Sequence, residues 1–217
     1  MKIFKKQNLV LIGVFCLVLV GLGLVFGAKP VSNLITLPIL SESQQTLYTN
    51  QKYNYSLKFP ENWFIKHFGE SQETAGTIVL VTNQADLTAG DGGPPRGAKV
   101  QIFVQDLGEL HEVDSSFPQI NFVDDWIDWE RLNQQGFDSE AQGEPKDETM
   151  TIAKQQAIKT TYSQPMYPED MGKSIRVTVL SPDKKYIFQI QYVATEPDFS
   201  EQESNFENIL SSFKFTN

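Results

Sequence analysis

The sequence predicts an α+β domain built on a central, mainly antiparallel sheet and preceded by an N-terminal transmembrane helix. Three observations carry this reading. Runs that alternate apolar with polar residues, such as Tyr53 to Phe59 and Ala98 to Gln105, recur between Tyr48 and Phe215, and period-2 alternation marks half-buried strands. Two longer runs space their apolar residues three and four apart, the period of a helix packed on one face. Leu9 to Phe26 is apolar throughout, eighteen residues without a charge.

The apolar stretch, LVLIGVFCLVLVGLGLVF, follows Lys2, Lys5 and Lys6. As a helix rising ~1.5 Å per residue it reaches roughly 27 Å, close to the ~30 Å hydrocarbon core of a bilayer. Lysines on its N-terminal side hold that end in the cytoplasm and send the rest of the chain outside. A cleaved signal wants an apolar run of about 7–15 residues and small residues at both cleavage positions, and Phe26 before Gly27-Ala28 spoils that pattern. A lipoprotein signal wants a small residue before its cysteine, whereas Cys16, the only cysteine, follows Phe15. The expectation is an uncleaved anchor, with cleavage after Ala28 and lipidation of Cys16 as the alternatives. Residues 1–28 are then the cytoplasmic stub and anchor, in contact with membrane lipid. Residues 29–46, with two prolines and a polar end, are a linker. Residues 47–217 are one extracytoplasmic domain of a single-pass membrane protein.

Within that domain, Tyr53 to Phe59 opens as a strand, and Pro60-Glu61-Asn62 turns it into Trp63-Phe64-Ile65. Thr77 to Thr82 reads as a short buried strand and Ala98 to Gln105 as another. Between them, Asn83 to Gly97 is rich in Gly, Pro and Asp and predicts a long exposed loop. A helix is expected in NFVDDWIDWERLNQQ, from Asn121, which would cap it. Phe122, Val123, Trp126, Ile127 and Trp129 form its buried face and Asp124, Asp125, Asp128 and Arg131 its other side. Thr149 to Tyr162, Ser174 to Leu180 and Tyr186 to Val193 read as strands. The last two flank the turn cluster Ser181 to Lys185 and pair as a hairpin. Phe199 to Ser212 closes the chain as a helix whose Phe206, Ile209, Leu210 and Phe213 are its buried stripe.

The entry segment Tyr53-Asn54-Tyr55-Ser56-Leu57-Lys58-Phe59-Pro60-Glu61-Asn62-Trp63 resembles the "GYSIxYPxxW" strand of PsbP-like domains, with Asn54 where that pattern has Gly. The closing Ile209-Leu210-Ser211-Ser212-Phe213-Lys214-Phe215 is similar to the family's "SFxF" segment, and the helix around Trp126 stands where the family places one. The resemblance implies an αβα sandwich of the Mog/PsbP type around the central sheet. It implies further a protein that docks onto other proteins, with no covalent chemistry and no cofactor. These matches are packing residues, and fold passes through them more readily than function.

Charge narrows the partners. Of the 18 basic residues, Lys2, Lys5, Lys6 and Lys29 precede the domain, leaving 14 basic against 27 acidic side chains and a net charge of −13. A nucleic-acid binder needs a basic face to displace counterions from phosphates, so nucleic acid is excluded. No nucleophile elbow, Walker loop, His-Glu-x-x-His or paired-Cys motif occurs. The two histidines, His67 and His111, stand in polar contexts, and no metal site is expected of them. The acids interleaved with Trp126 and Trp129 are the candidate contacts: Asp124, Asp125 and Asp128, with Glu130 beside them, form a docking ridge for a basic partner, weak calcium ligands, or merely the solvated side of a helix. Asp86 and Asp91, in DLTAGDGGPPRG, lack EF-hand spacing; their long loop reads as a mobile connection or as a ligand or partner loop, and both are candidate partner contacts. The expected function is a non-catalytic, membrane-anchored binding or assembly module that docks onto another envelope or membrane protein. The alternative is a small-ligand or calcium-responsive sensor.

Overall fold

The computed structural model describes residues 44–67, 77–84, 97–133, 142–165, 171–196 and 198–216, within one compact unit that begins at Glu42. The apolar run at 9–26, most of the linker, and Asp86 and Asp91 lie outside the described residues. In chain order the elements are β1 (Gln45–Asn50), β2 (Tyr55–Pro60), β3 (Phe64–His67), β4 (Thr77–Thr82), β5 (Ala98–Asp106), α1 (Leu107–Val113), α2 (Val123–Leu132), β6 (Gln142–Ile152), β7 (Gln155–Pro165), β8 (Met171–Leu180), β9 (Tyr186–Thr195), α3 (Asp198–Ser212) and β10 (Lys214–Phe215). A large sheet runs β3-β4-β5-β9-β8-β7-β6 and a small one β1-β2-β10. The pairings among these strands are antiparallel.

The two faces of the large sheet have different covers. On one, Ile175, Val177 and Val179 of β8 and Phe188, Ile190, Tyr192 and Ala194 of β9 join Val100, Ile102 and Val104 of β5. Phe199, Phe206, Ile209, Leu210 and Phe213 from the C-terminal segment cover them, together with Tyr55, Leu57 and Phe59 of β2. Aromatic rings tie this layer together: Tyr192 stacks on Phe206 at 5.0 Å, and Phe188 meets Tyr55 at 5.4 Å and Phe213 at 5.8 Å, both edge-on. On the other face, Leu107, Phe117, Ile120, Val123, Trp126 and Ile127 pack on Ile158, Leu180 and Ile187. The layering is therefore helix plus small sheet, large sheet, then helix pair. One outer layer of the expected sandwich is part strand, because alternation in β2 gives it an apolar face that needs the same core as α3.

Several expectations are corrected. Thr149 to Tyr162 is not one strand: Ala153 and Lys154 take φ of 49° and 67°, and Ile152 faces Gln155 across this two-residue hairpin turn. Helix α1 was not anticipated; Asp106 caps it by accepting from the Gly108 and Glu109 N–H groups. Phe122 is exposed rather than buried, at 63%, because it precedes the first turn of α2 with extended backbone. Asn121 does not cap that helix. The Asp125 carboxylate instead accepts from the Asn121 and Phe122 N–H groups, both at 2.9 Å. Asn54 sits in a turn at φ 52°, not in a strand; the left-handed conformation suits Gly and tolerates Asn, which accounts for Asn where the family pattern has Gly.

Candidate functional site

Alternation along the strands puts a polar layer on the helix-pair side of the large sheet. Opposed residues of antiparallel strands share a face, and register places Asp147, Thr160, Arg176, Gln191, Gln101, Leu80 and Lys66 in one row across seven strands. The next row holds Tyr162, Ser174, Val193, Lys99, Thr82 and Phe64. The row on the other side holds Ile158, Thr178, Gln189 and Phe103, at the edge of the apolar contact with α1 and α2. Arg176, Thr160, Ser174 and Thr178 are completely buried, and Gln189, Gln191 and Glu130 nearly so.

Glu130, in the last turn of α2, is the carboxylate that descends into this layer. Its Oε1 accepts from Gln189 Nε2 at 2.8 Å, and its Oε2 lies 3.5 Å from an Arg176 guanidinium nitrogen. Gln191 Nε2 donates to the Tyr162 hydroxyl at 2.9 Å. At the sheet edge, Thr160 Oγ1 donates to Asp147 at 2.8 Å, and Asp147 also receives Arg131 of α2 at 2.5 Å. Helix α2 is thus seated on the sheet by apolar packing at its start and by ionic contacts at its end. Taking charges out of water is costly unless they are paired, so this layer fixes the helix in one position. Lys99 sits half-buried in the second row, and that burial lowers its ammonium pKa. Among the described residues no carboxylate pairs with it. The Ser174 and Thr178 hydroxyls make no hydrogen bond there either.

The anticipated contact residues fall elsewhere. Asp124 is exposed and accepts from Gln156 Nε2 at 3.0 Å, linking α2 to the β6–β7 hairpin. Asp125 is half-buried and holds the helix start, while Asp128 is exposed. Asp86 and Asp91 are outside the described residues, so the structure brings together only the three acids of α2. Glu130, grouped with the solvated acids in the sequence, is buried. Its signal was present: it stands four and three residues after Trp126 and Ile127, on the same stripe. Arg176 alternates with Ile175 and Val177 and reads as a solvent-facing strand residue until the face above it is known to be covered. His111 is exposed, edge-on to Phe117 at 5.0 Å. Among the described residues no three His, Cys, Asp or Glu side chains are grouped to hold a metal, and no helix is long and apolar enough to cross a membrane.

No protein-family model and no curated protein matches the chain. Solved structures do. The cyanobacterial PsbP (CyanoP) of Synechocystis sp. PCC 6803 matches with a TM-score of 0.49 and 14% identity, over 84% of this chain and 98% of that one. LpqN, involved in cell envelope biogenesis of Mycobacterium tuberculosis, matches at 0.48 with 11% identity, over 80% and 91%. A chain from Bacteroides thetaiotaomicron VPI-5482 matches at 0.49 with 10% identity over 80% of this chain; there the match spans about half, 49%, of the longer partner.

Proposed function

We propose that this chain is a non-catalytic, extracytoplasmic binding module, tethered to the cell membrane by residues 9–26 and docking onto another envelope or membrane protein. The observation that carries the docking is the outer side of α2. Asp124 and Asp128 stand exposed there, with Phe122 and Leu132 at 63% and 84% exposure at the two ends of the same helix. Isolated apolar side chains on a surface need no explanation, but acids between exposed apolar residues, on a helix fixed by Gln156 and Asp147 contacts, make a preorganised ridge for a partner with a basic centre flanked by apolar groups. Asp86 and Asp91, on the long loop, are proposed to extend that surface. Asp125 belongs to the anticipated set but already caps the helix, so its loss would weaken the ridge as well as any contact.

The test is in-cell crosslinking of the full-length protein in its native membrane, followed by mass spectrometry of the captured protein. An Asp124→Asn/Asp128→Asn variant, which leaves the cap intact, is run in parallel. One recurrent partner lost in the variant supports the reading. A partner retained in full by the variant removes α2 as the docking face, and absence of any recurrent partner removes the assembly role.

A further inference from the structure

The small sheet ends on β1, whose outer edge meets no strand among the described residues. Which backbone groups point outward there follows from the bonds of β2. The Lys58 N–H donates to the Ser212 hydroxyl and the Asn54 carbonyl accepts from the Thr216 N–H, so Asn54, Ser56 and Lys58 turn their backbone groups toward β10. By alternation those of Tyr55, Leu57 and Phe59 face β1, where their partners are Asn50, Tyr48 and Thr46. The Gln44 carbonyl, which accepts from the Glu61 N–H, keeps the same parity. The N–H and carbonyl groups of Gln45, Leu47 and Thr49 therefore point away from β2. All three residues are exposed, Leu47 by 62%.

Open sheet edges are normally blunted by charge, proline, a bulge or short length. The other described edges follow this rule: β6 carries Pro145, Lys146, Asp147 and Glu148 with a break in register, β3 has four residues including Lys66 and His67, and β10 has two. By contrast β1 is six residues with no charge and no proline. We propose that β1 pairs with β1 of a second copy of this chain, antiparallel about a two-fold axis at Leu47, joining two three-stranded sheets into one of six. Two features of β1 fit a second copy. The domain carries 27 acidic side chains against 14 basic ones, so copies repel wherever acids meet, and this edge apposes none. Its register is also self-complementary. A two-fold axis normal to a sheet preserves the sheet's faces and so passes through a pair of identical residues. Of the registers this allows, the one centred on Leu47 gives all three outward residues partners within β1. Leu47 exchanges two hydrogen bonds with Leu47 of the second copy, and Gln45 and Thr49 exchange theirs with Thr49 and Gln45 of the second copy. Every outward N–H and carbonyl of both strands is then satisfied. The Leu47 side chains, each opposite Lys58 on the face away from the core, meet at the axis and cover one another.

A strand-to-strand contact falls at the low end of interface size, below about 1,200 Å², so the association is weak and covalent trapping suits it. It lies apart from α2, which packs on the other face of the large sheet, and does not depend on the docking role. The test is oxidative disulfide trapping of the purified full-length protein in detergent, on a Cys16→Ala background. Leu47→Cys sets the two cysteines about 5.5 Å apart at Cα, within the span of a disulfide. Thr49→Cys alone sets them four residues apart along the pair, roughly 14 Å, which a disulfide cannot bridge. The expected result is a dimer from Leu47→Cys and from Gln45→Cys chains mixed with Thr49→Cys chains, and none from either of those two alone. Thr49→Pro removes an outward N–H and no bond to β2; added to Leu47→Cys, it should cut the dimer yield about tenfold, because the two-fold axis deletes the bond twice. No dimer from Leu47→Cys overturns the proposal. So does a dimer formed equally by Thr49→Cys alone, the mark of random collision, or one undiminished by Thr49→Pro. In whole cells, a Leu47→Cys adduct with another protein in place of the dimer would assign the edge to a foreign strand and overturn self-pairing.

Discussion

Breaking the Glu130–Arg176 pair should be among the most damaging single changes to the domain. Both side chains are buried, Arg176 completely, and the pair is held at 3.5 Å beneath the end of α2. Removing one partner leaves the other charge in a low-dielectric layer, a loss of about 3–5 kcal/mol. Glu130→Ala also removes the acceptor of Gln189 Nε2, and Arg176→Met removes the guanidinium while keeping much of its volume. At ~2–4 °C per kcal/mol for a domain of this size, either single variant should melt roughly 6–20 °C lower. The double variant Glu130→Leu/Arg176→Met should recover most of that loss, since burying two apolar side chains in place of a buried ion pair is often neutral or stabilising. Urea denaturation of the full-length protein, followed by tryptophan fluorescence, reports α2 directly because Trp126 and Trp129 lie on it. Single variants within about 0.5 kcal/mol of the parent, or a double variant whose loss equals the sum of the singles, would show that the charges are hydrated and uncoupled.

Three further outcomes are expected. Gly97 has φ +91°, and a Cβ there would stand 2.5–2.7 Å from Gln84 and Asn83 side-chain atoms, so Gly97→Ala should cost about 2–5 kcal/mol in urea titrations. At Asn54, φ 52°, replacement by Gly should change stability by less than about 1 kcal/mol while Asn54→Val loses about 1–2 kcal/mol; equal effects would refute the left-handed assignment. Because burial lowers the Lys99 pKa, the unfolded chain holds more protons than the folded one between that lowered value and the ordinary lysine range. Stability should therefore rise with pH across that window. Lys99→Met should flatten the rise and be the more stable protein at neutral pH in chloride buffer, which urea midpoints from pH 7 to 10 will show.

Much of the fold was legible because its signals are local. The short apolar run Thr77 to Thr82 located β4 and the period-2 run from Ala98 located β5 to within a residue, the Ser181 to Lys185 turn cluster located the β8–β9 hairpin, and the 3.6-residue spacing of Phe206, Ile209 and Leu210 located α3. What escaped notice depended on neighbours distant in the chain. The Ala153–Lys154 turn lacks Gly, Asn and Pro, and its left-handed residues are imposed by the pairing of β6 with β7. Helix α1 is seven residues long, too short for periodicity to register. The polar layer was hidden for a sharper reason: Ser174, Arg176 and Thr178 alternate with apolar residues as a solvent-facing edge would. Only the placement of α2 over that face turns them into an interior. The acids of α2 were legible as a group, but not their division into a cap, an exposed pair and a buried ion-pair partner, because that division depends on three-dimensional seating.

The small sheet joins β2 to β10, with Ser56 opposite Lys214, so the apolar face of β2 is completed by residues synthesised much later in the chain. Lys58 N–H donates to the Ser212 hydroxyl, 154 residues later. At about 5–20 residues per second, Tyr55, Leu57 and Phe59 wait roughly 8–30 s for the helix and strand that cover them. During that interval the core on this side is unfinished. The same delay leaves the aromatic strand β2 open to self-association until α3 and β10 are made.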